Sequence, residues 1–149
     1  MRDRKTLLIL FGLPIVQIMI FGFALTNEVK NSKIIIADQA KDMASQQLTT
    51  KIEASNYFEI EKSVLNRTGI EDAFKEGKVK AAIVFPENFN HDLLHENKAA
   101  IQVITDASDP NTATTLSNYL NSIISDYQTE LNENRSQPYR ISTETRMLY

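Results

Sequence analysis

Two histidines four residues apart, His91 and His95 in the segment HDLLH, carry the sharpest chemical signal in this sequence. On a helix that spacing puts both imidazoles on one face, the arrangement with which zinc hydrolases hold their metal. Those enzymes place a Glu general base directly after the first His. Here the position holds Asp92, one methylene shorter, and the chain has only these two His, so no third imidazole exists. Neither Asp92 nor Glu96 is specified by spacing as a substitute ligand. The expectation is two solvent-facing imidazoles on a short polar helix, with no catalytic residue and no metal centre.

The acidic pair Asp106 and Asp109, in TDASDPNTA, comes next. It lacks the ligand spacing and the bidentate Glu of a calcium loop. A strand end, a turn and a helix cap account for the same residues, with Asp109 as N-cap and Pro110 at the first helical position. The four glycines (Gly12, Gly22, Gly69, Gly77) cannot write a phosphate loop or a dinucleotide fingerprint, so no cofactor is expected. Without cysteine there is no disulfide, thiolate metal site or cysteine nucleophile. No Ser/His/Asp spacing recommends a hydrolase. A net charge of −3 argues against a nucleic-acid partner, because phosphate binding needs clustered Lys and Arg. The sequence therefore reads as a protein that is not an enzyme.

The elements that carry these residues fall into two unlike parts. Residues 6–25, TLLILFGLPIVQIMIFGFAL, contain no charge. Twenty helical residues rise roughly 30 Å, the thickness of a bilayer core. Residues 1–5 carry +2, which leaves −5 for everything after the run, since the whole chain carries −3. A cleaved secretory signal has a shorter apolar core, so a retained membrane helix is the expectation. Pro14 and Gln17 lie inside it. A polar amide in lipid is best placed against another helix, so these two are read as a helix–helix contact. Lys30, Lys33 and Lys41 nearly balance the basic start, yet charge is densest before the span. Residues 1–5 are therefore expected to be cytoplasmic and residues 26–149 extracytoplasmic.

That outer region alternates strands and helices, which implies one α/β domain: a mixed sheet with packed helices. Strands are expected over 33–38, 57–64, 79–85, 99–106 and, as a final extended segment, 139–149. The apolar run Ile34–Ala37 suits a strand covered on both faces, while Glu59, Glu61 and Lys62 mark an edge strand. Asp42 caps a helix whose stripe is Ala44, Leu48 and Ile52. A short helix over 70–76 ends at Gly77, another spans 87–96, and the longest runs from Pro110 to Glu133. Its stripe of Ala113, Leu116, Leu120, Ile123, Ile124, Tyr127 and Leu131 is read as core rather than as a partner-docking face.

Several residues together resemble the membrane subunits of ABC exporters of the ABC-2 permease class, which carry a large extracytoplasmic domain after the first span. The basic start Arg2-Asp3-Arg4-Lys5-Thr6-Leu7 is similar to the family's entry into its first helix. Pro14, Gln17, Phe21-Gly22 and Ala24-Leu25 are similar to that helix's P-x-x-Q…FG-x-AL body. Asn27–Asn31 followed by Ile34–Asp38, and then Ser45 and Leu48, resemble the exit, first strand and next helix. Val79–Phe85 with Pro86 and Phe89, and the nonapeptide Thr105–Ala113, resemble later family motifs. Ala107 stands where the family has Gly, and Ala40 where a second Asp is frequent.

The resemblance implies an ATP-driven exporter whose partners are a second permease subunit, a cytoplasmic ABC ATPase that hydrolyses ATP on its own chain, membrane lipid and, where one exists, a periplasmic adaptor. It implies the bacterial inner membrane as location. Family members also have about five further spans, so the chain is expected to be an N-terminal fragment or a truncated reading frame, with the family's second transmembrane helix falling beyond its end. The alternative of a different class is a single-span, membrane-anchored binding or sensor domain without transport.

Overall fold

The computed structural model describes residues 4–24, 31–61, 67–133 and 135–148. Helix α1 runs from Arg4 to Ala24 with Pro14 inside it. Its described large apolar side chains, from Ile9 to Phe21, are all exposed. Among the described residues no helix is long and apolar enough to cross a membrane, so the span expected over residues 6–25 is not established by the structure.

The remaining elements are β1 (Ser32–Asp38), α2 (Met43–Ala54), β2 (Phe58–Glu61), α3 (Arg67–Lys75), β3 (Ala81–Phe85), α4 (Phe89–Glu96), β4 (Lys98–Asp106), α5 (Pro110–Asn132) and β5 (Arg140–Leu148). The strands form one sheet in the order β2-β1-β3-β4-β5. It is mixed: β1 pairs parallel with β2 and β3, β4 pairs parallel with β5, and β3–β4 is antiparallel.

Chain handedness explains which face each helix takes. Parallel crossovers keep one hand. The chain steps from β1 outward to β2 through α2, then back past β1 to β3 through α3, so these two helices must cover opposite faces. Strand β4 runs the other way, and its step to β5 returns α5 to the face of α2. The buried clusters divide accordingly. Ile34, Ile36, Ile83, Phe85, Ile101 and Val103 pack against Leu48 and Ile52 of α2, Phe89 and Leu93 of α4, and Leu116, Leu120, Ile123 and Ile124 of α5. On the other face Ile35, Ala37, Ala82 and Ile104 meet Ile70, Ala73 and Phe74 of α3. The consecutive residues Ile34–Ala37 are buried because the strand is covered on both sides.

Several boundaries differ from the sequence expectation. Strand β2 covers Phe58–Glu61 rather than 57–64; Tyr57 precedes it, and Val64 lies outside the described residues. It is an edge strand. Strand β3 begins at Ala81 instead of Val79, because Lys80 donates its N–H to the Lys33 carbonyl in an irregular entry. Helix α4 begins at Phe89, not Glu87, since Pro86 first forms a turn that takes the Phe89 N–H at 3.2 Å. The 139–149 segment joins the sheet as a full nine-residue strand beside β4.

Gly77 (φ 65°) ends α3 in the left-handed region. Its N–H reaches the Phe74 carbonyl and the Lys78 N–H reaches Ala73, the paired bonds that satisfy the last open carbonyls of a helix.

Candidate functional site

The sheet has two chemically distinct ends. Ser32, where β1 begins, lies at the same end as Leu148, where β5 finishes, because Ile34 aligns with Ala81, Ala81 with Thr105 and Thr105 with Met147. The Asp106–Pro110 turn sits at that end. Oδ1 of Asp106 accepts the Ser108 N–H at 2.9 Å, and Oδ2 faces Lys80 Nζ at 3.3 Å. These contacts, the Ser108 backbone bond foremost, hold its carboxyl below the usual range. Asp109 takes the Thr112 hydroxyl at 2.5 Å on one oxygen and the Thr112 N–H at 3.1 Å on the other, which lowers its carboxyl as well. It is the N-cap of α5, with Pro110 following in the first turn. Both carboxylates are thus engaged in holding the turn and the start of α5. Among the described residues no group of three or more His, Asp or Glu is placed to hold a metal.

The opposite end holds a polar network that sequence reading reached only in part. Asp42 was legible as the cap of α2, and its Oδ1 accepts the Ser45 N–H at 2.9 Å. Its Oδ2 accepts the Asn90 N–H at 2.8 Å, so one carboxylate caps α2 and also holds the first turn of α4, 48 residues away. Ser45 is fully buried, returns its Oγ to the Asp42 N–H at 3.2 Å and donates to Asp38 Oδ2 at 2.7 Å. Asp38 also accepts the Lys41 N–H at 2.8 Å, and Lys41 adopts φ 50° to allow it. The Asp-x-x-Ser spacing was the available signal for the local half. The link to α4 had none, since it depends on β1 and β3 ending side by side.

The other singled-out residues take no part in these two networks. His91 and His95 are exposed on α4 with rings stacked at 4.3 Å. Pro14 and Gln17 share one stripe of α1 with Ile18, Phe21 and Gly22, and together these line a shallow apolar notch of about 480 Å³. A groove of about 530 Å³ along α2 and α5, which sequence reading missed, is lined by Lys51, Tyr57, Tyr119, Ser122, Ile123 and Asp126, among others. Tyr57 and Tyr119 stack in it at 4.5 Å, and Lys51 pairs with Glu130 beside it. It offers an aromatic platform flanked by both signs of charge, which suits contact with a macromolecule rather than bond-breaking.

Geometry of this kind positions and connects the elements of the domain. The likenesses to known proteins give its class. Residues 4–149 match the family model described as ABC-2 family transporter protein, and the chain belongs to that family. It is 30% identical over 138 residues to the probable multidrug ABC transporter permease YbhR of Escherichia coli K12, covering 93% of this chain and 38% of that protein. It is 28% identical over 148 residues to the probable multidrug ABC transporter permease YbhS of the same strain, covering 97% of this chain and 39% of that protein. The chain thus spans about two fifths of the length of these curated relatives. The fold is similar to the crystal structure of a domain assigned to an ABC type-2 transporter of Thermotoga maritima MSB8, with a TM-score of 0.58 and 17% identity over 77% of this chain and 86% of that one.

Proposed function

We propose that this chain is part of the membrane subunit of an ATP-driven ABC exporter in the bacterial inner membrane. In this reading residues 1–5 are cytoplasmic, residues 6–25 form a retained transmembrane helix and residues 26–149 form the extracytoplasmic domain. ATP is hydrolysed on a separate cytoplasmic subunit, and two permease subunits pair to enclose the pathway. The observation that carries the reading is the family match over residues 4–149, which runs through α1 and the α/β domain alike. The position of Ser32 and Leu148 at one end of the sheet supports it, because a domain standing on one membrane surface needs both its connections on the same side.

Pro14 and Gln17 then face a neighbouring helix, where the Gln17 amide finds a partner that lipid cannot offer. The α2–α5 groove is the face we assign to an adaptor or to the partner subunit. The relatives' names carry multidrug transport, so drug efflux is the first activity to assay. Topology gives the sharpest test. The chain has no cysteine, so Glu53→Cys, on an exposed position of α2, is the sole thiol. A membrane-impermeant maleimide should label it in intact spheroplasts, and mass spectrometry should find residues 1–24 still attached. Labelling only after permeabilisation, or a mature chain that starts near Leu25, would sink the proposal.

A further inference from the structure

We propose that His91 and His95 form a two-imidazole chelate for one divalent transition cation on the outer face of α4. Three observations converge. The four-residue spacing holds on an intact helix, and the rings stand face to face at 4.3 Å between centroids and 18° between planes. Two imidazole nitrogens bound to one tetrahedral ion at about 2.0–2.1 Å are about 3.3 Å apart with both ring planes meeting at the ion. The rings must therefore turn out of this stack about their side-chain torsions to bind it, which their exposure permits.

The second observation fixes the tautomer of one ring. His95 Nδ1 lies 3.0 Å from the His91 carbonyl oxygen. A carbonyl only accepts, so Nδ1 carries the proton and the lone pair is on Nε2. The third is a carboxylate beside the other ring: Asp92 Oδ1 sits 3.5 Å from His91 Nδ1, a long contact that favours the same tautomer. A backbone carbonyl or carboxylate on the far ring nitrogen is how metal-ligating histidines are oriented. Both Nε2 atoms are thereby left for a cation, and both side chains reach solvent.

Among the described residues no third side chain joins the two imidazoles, so water completes the coordination and the site is a binding site. Among such cations the order of affinity runs up to copper, with nickel and zinc below it. A bound ion cross-links the outer turns of α4, whose inner residues Phe89 and Leu93 lie in the core and whose Asn90 N–H is held by Asp42. This inference stands independently of the transport reading.

Zinc chloride, added to the full untagged chain in detergent, provides the test. The protein has only two histidines, so histidine labelled with ¹³C at Cε1 gives two ring resonances. Both should move together at the same zinc concentration, with one ion bound per chain. His91→Ala and His95→Ala should each weaken binding at least tenfold. The double variant His95→Ala/Glu96→His keeps two imidazoles but takes them off one face, and it should bind as weakly as the single variants. Independent titration of the two resonances, unchanged binding by that double variant, or no movement below millimolar zinc would overturn the proposal.

Discussion

Asp42 joins two helices that are far apart in sequence, and its replacement should show how much that joint stabilises the domain. Asp42→Ala removes the cap bond to the Ser45 N–H and the bond to the Asn90 N–H. Loss of an N-cap side chain costs about 1 kcal/mol. An unmet donor in a partly buried first turn costs a further ~1 kcal/mol, so Asp42→Ala should lose about 2 kcal/mol. Asp42→Ser separates the two contributions. Its hydroxyl can still cap α2 but is too short to reach Asn90 as well, so it should lose about 1 kcal/mol. With a urea slope of about 2 kcal/mol per molar, the midpoints should fall by about 1 M for Ala and 0.5 M for Ser, at unchanged slope. Far-UV circular dichroism follows the transition, and amide exchange should show the Asn90 N–H losing protection in both variants. Equal midpoints for Ala and Ser, or an Asn90 amide protected as in the parent, would refute a bridging role for this carboxylate.

Four further outcomes are expected. Gly77→Ala meets no atom within 4 Å, so its cost is that of the left-handed backbone alone, about 1 kcal/mol, read as a urea midpoint lower by about 0.5 M. Phe85→Ala empties a fully buried site edge-on to Phe89 and should lose about 3–5 kcal/mol by the same measurement. The carboxyls of Asp106 and Asp109 are lowered in the fold, so their contribution is present above the unfolded value near pH 4 and disappears as pH falls through the lower folded values; an acid unfolding series should flatten in Asp106→Asn. Burial raises the Tyr127 phenol, whose hydroxyl donates to Gln47 Oε1 at 3.1 Å; Tyr127→Phe should cost about 1 kcal/mol and remove a step above the ordinary phenol range from the ultraviolet absorbance titration.

The amino-acid order by itself determined the elements whose signals are local. The β1 run Ile34–Ala37, the Asp42 cap, Gly77 after α3, the Asp109-Pro110 opening of α5 and its stripe from Ala113 to Leu131 could all be read, since periodicity, caps and left-handed positions act within a few residues. The P-x-x-Q body and the Thr105–Ala113 nonapeptide also carried the family. Tertiary structure alone decided what joins across the chain. The antiparallel β3–β4 pair turns the second half of the sheet over and so brings Ser32 and Leu148 to one end. The shared end of β1 and β3 lets Asp42 reach Asn90, and the packing of α2 on α5 opens the Tyr57–Tyr119 groove. Such contacts depend on strand order and direction, which no short stretch of residues encodes, because pairing is chosen by how the whole set of apolar faces can be buried together.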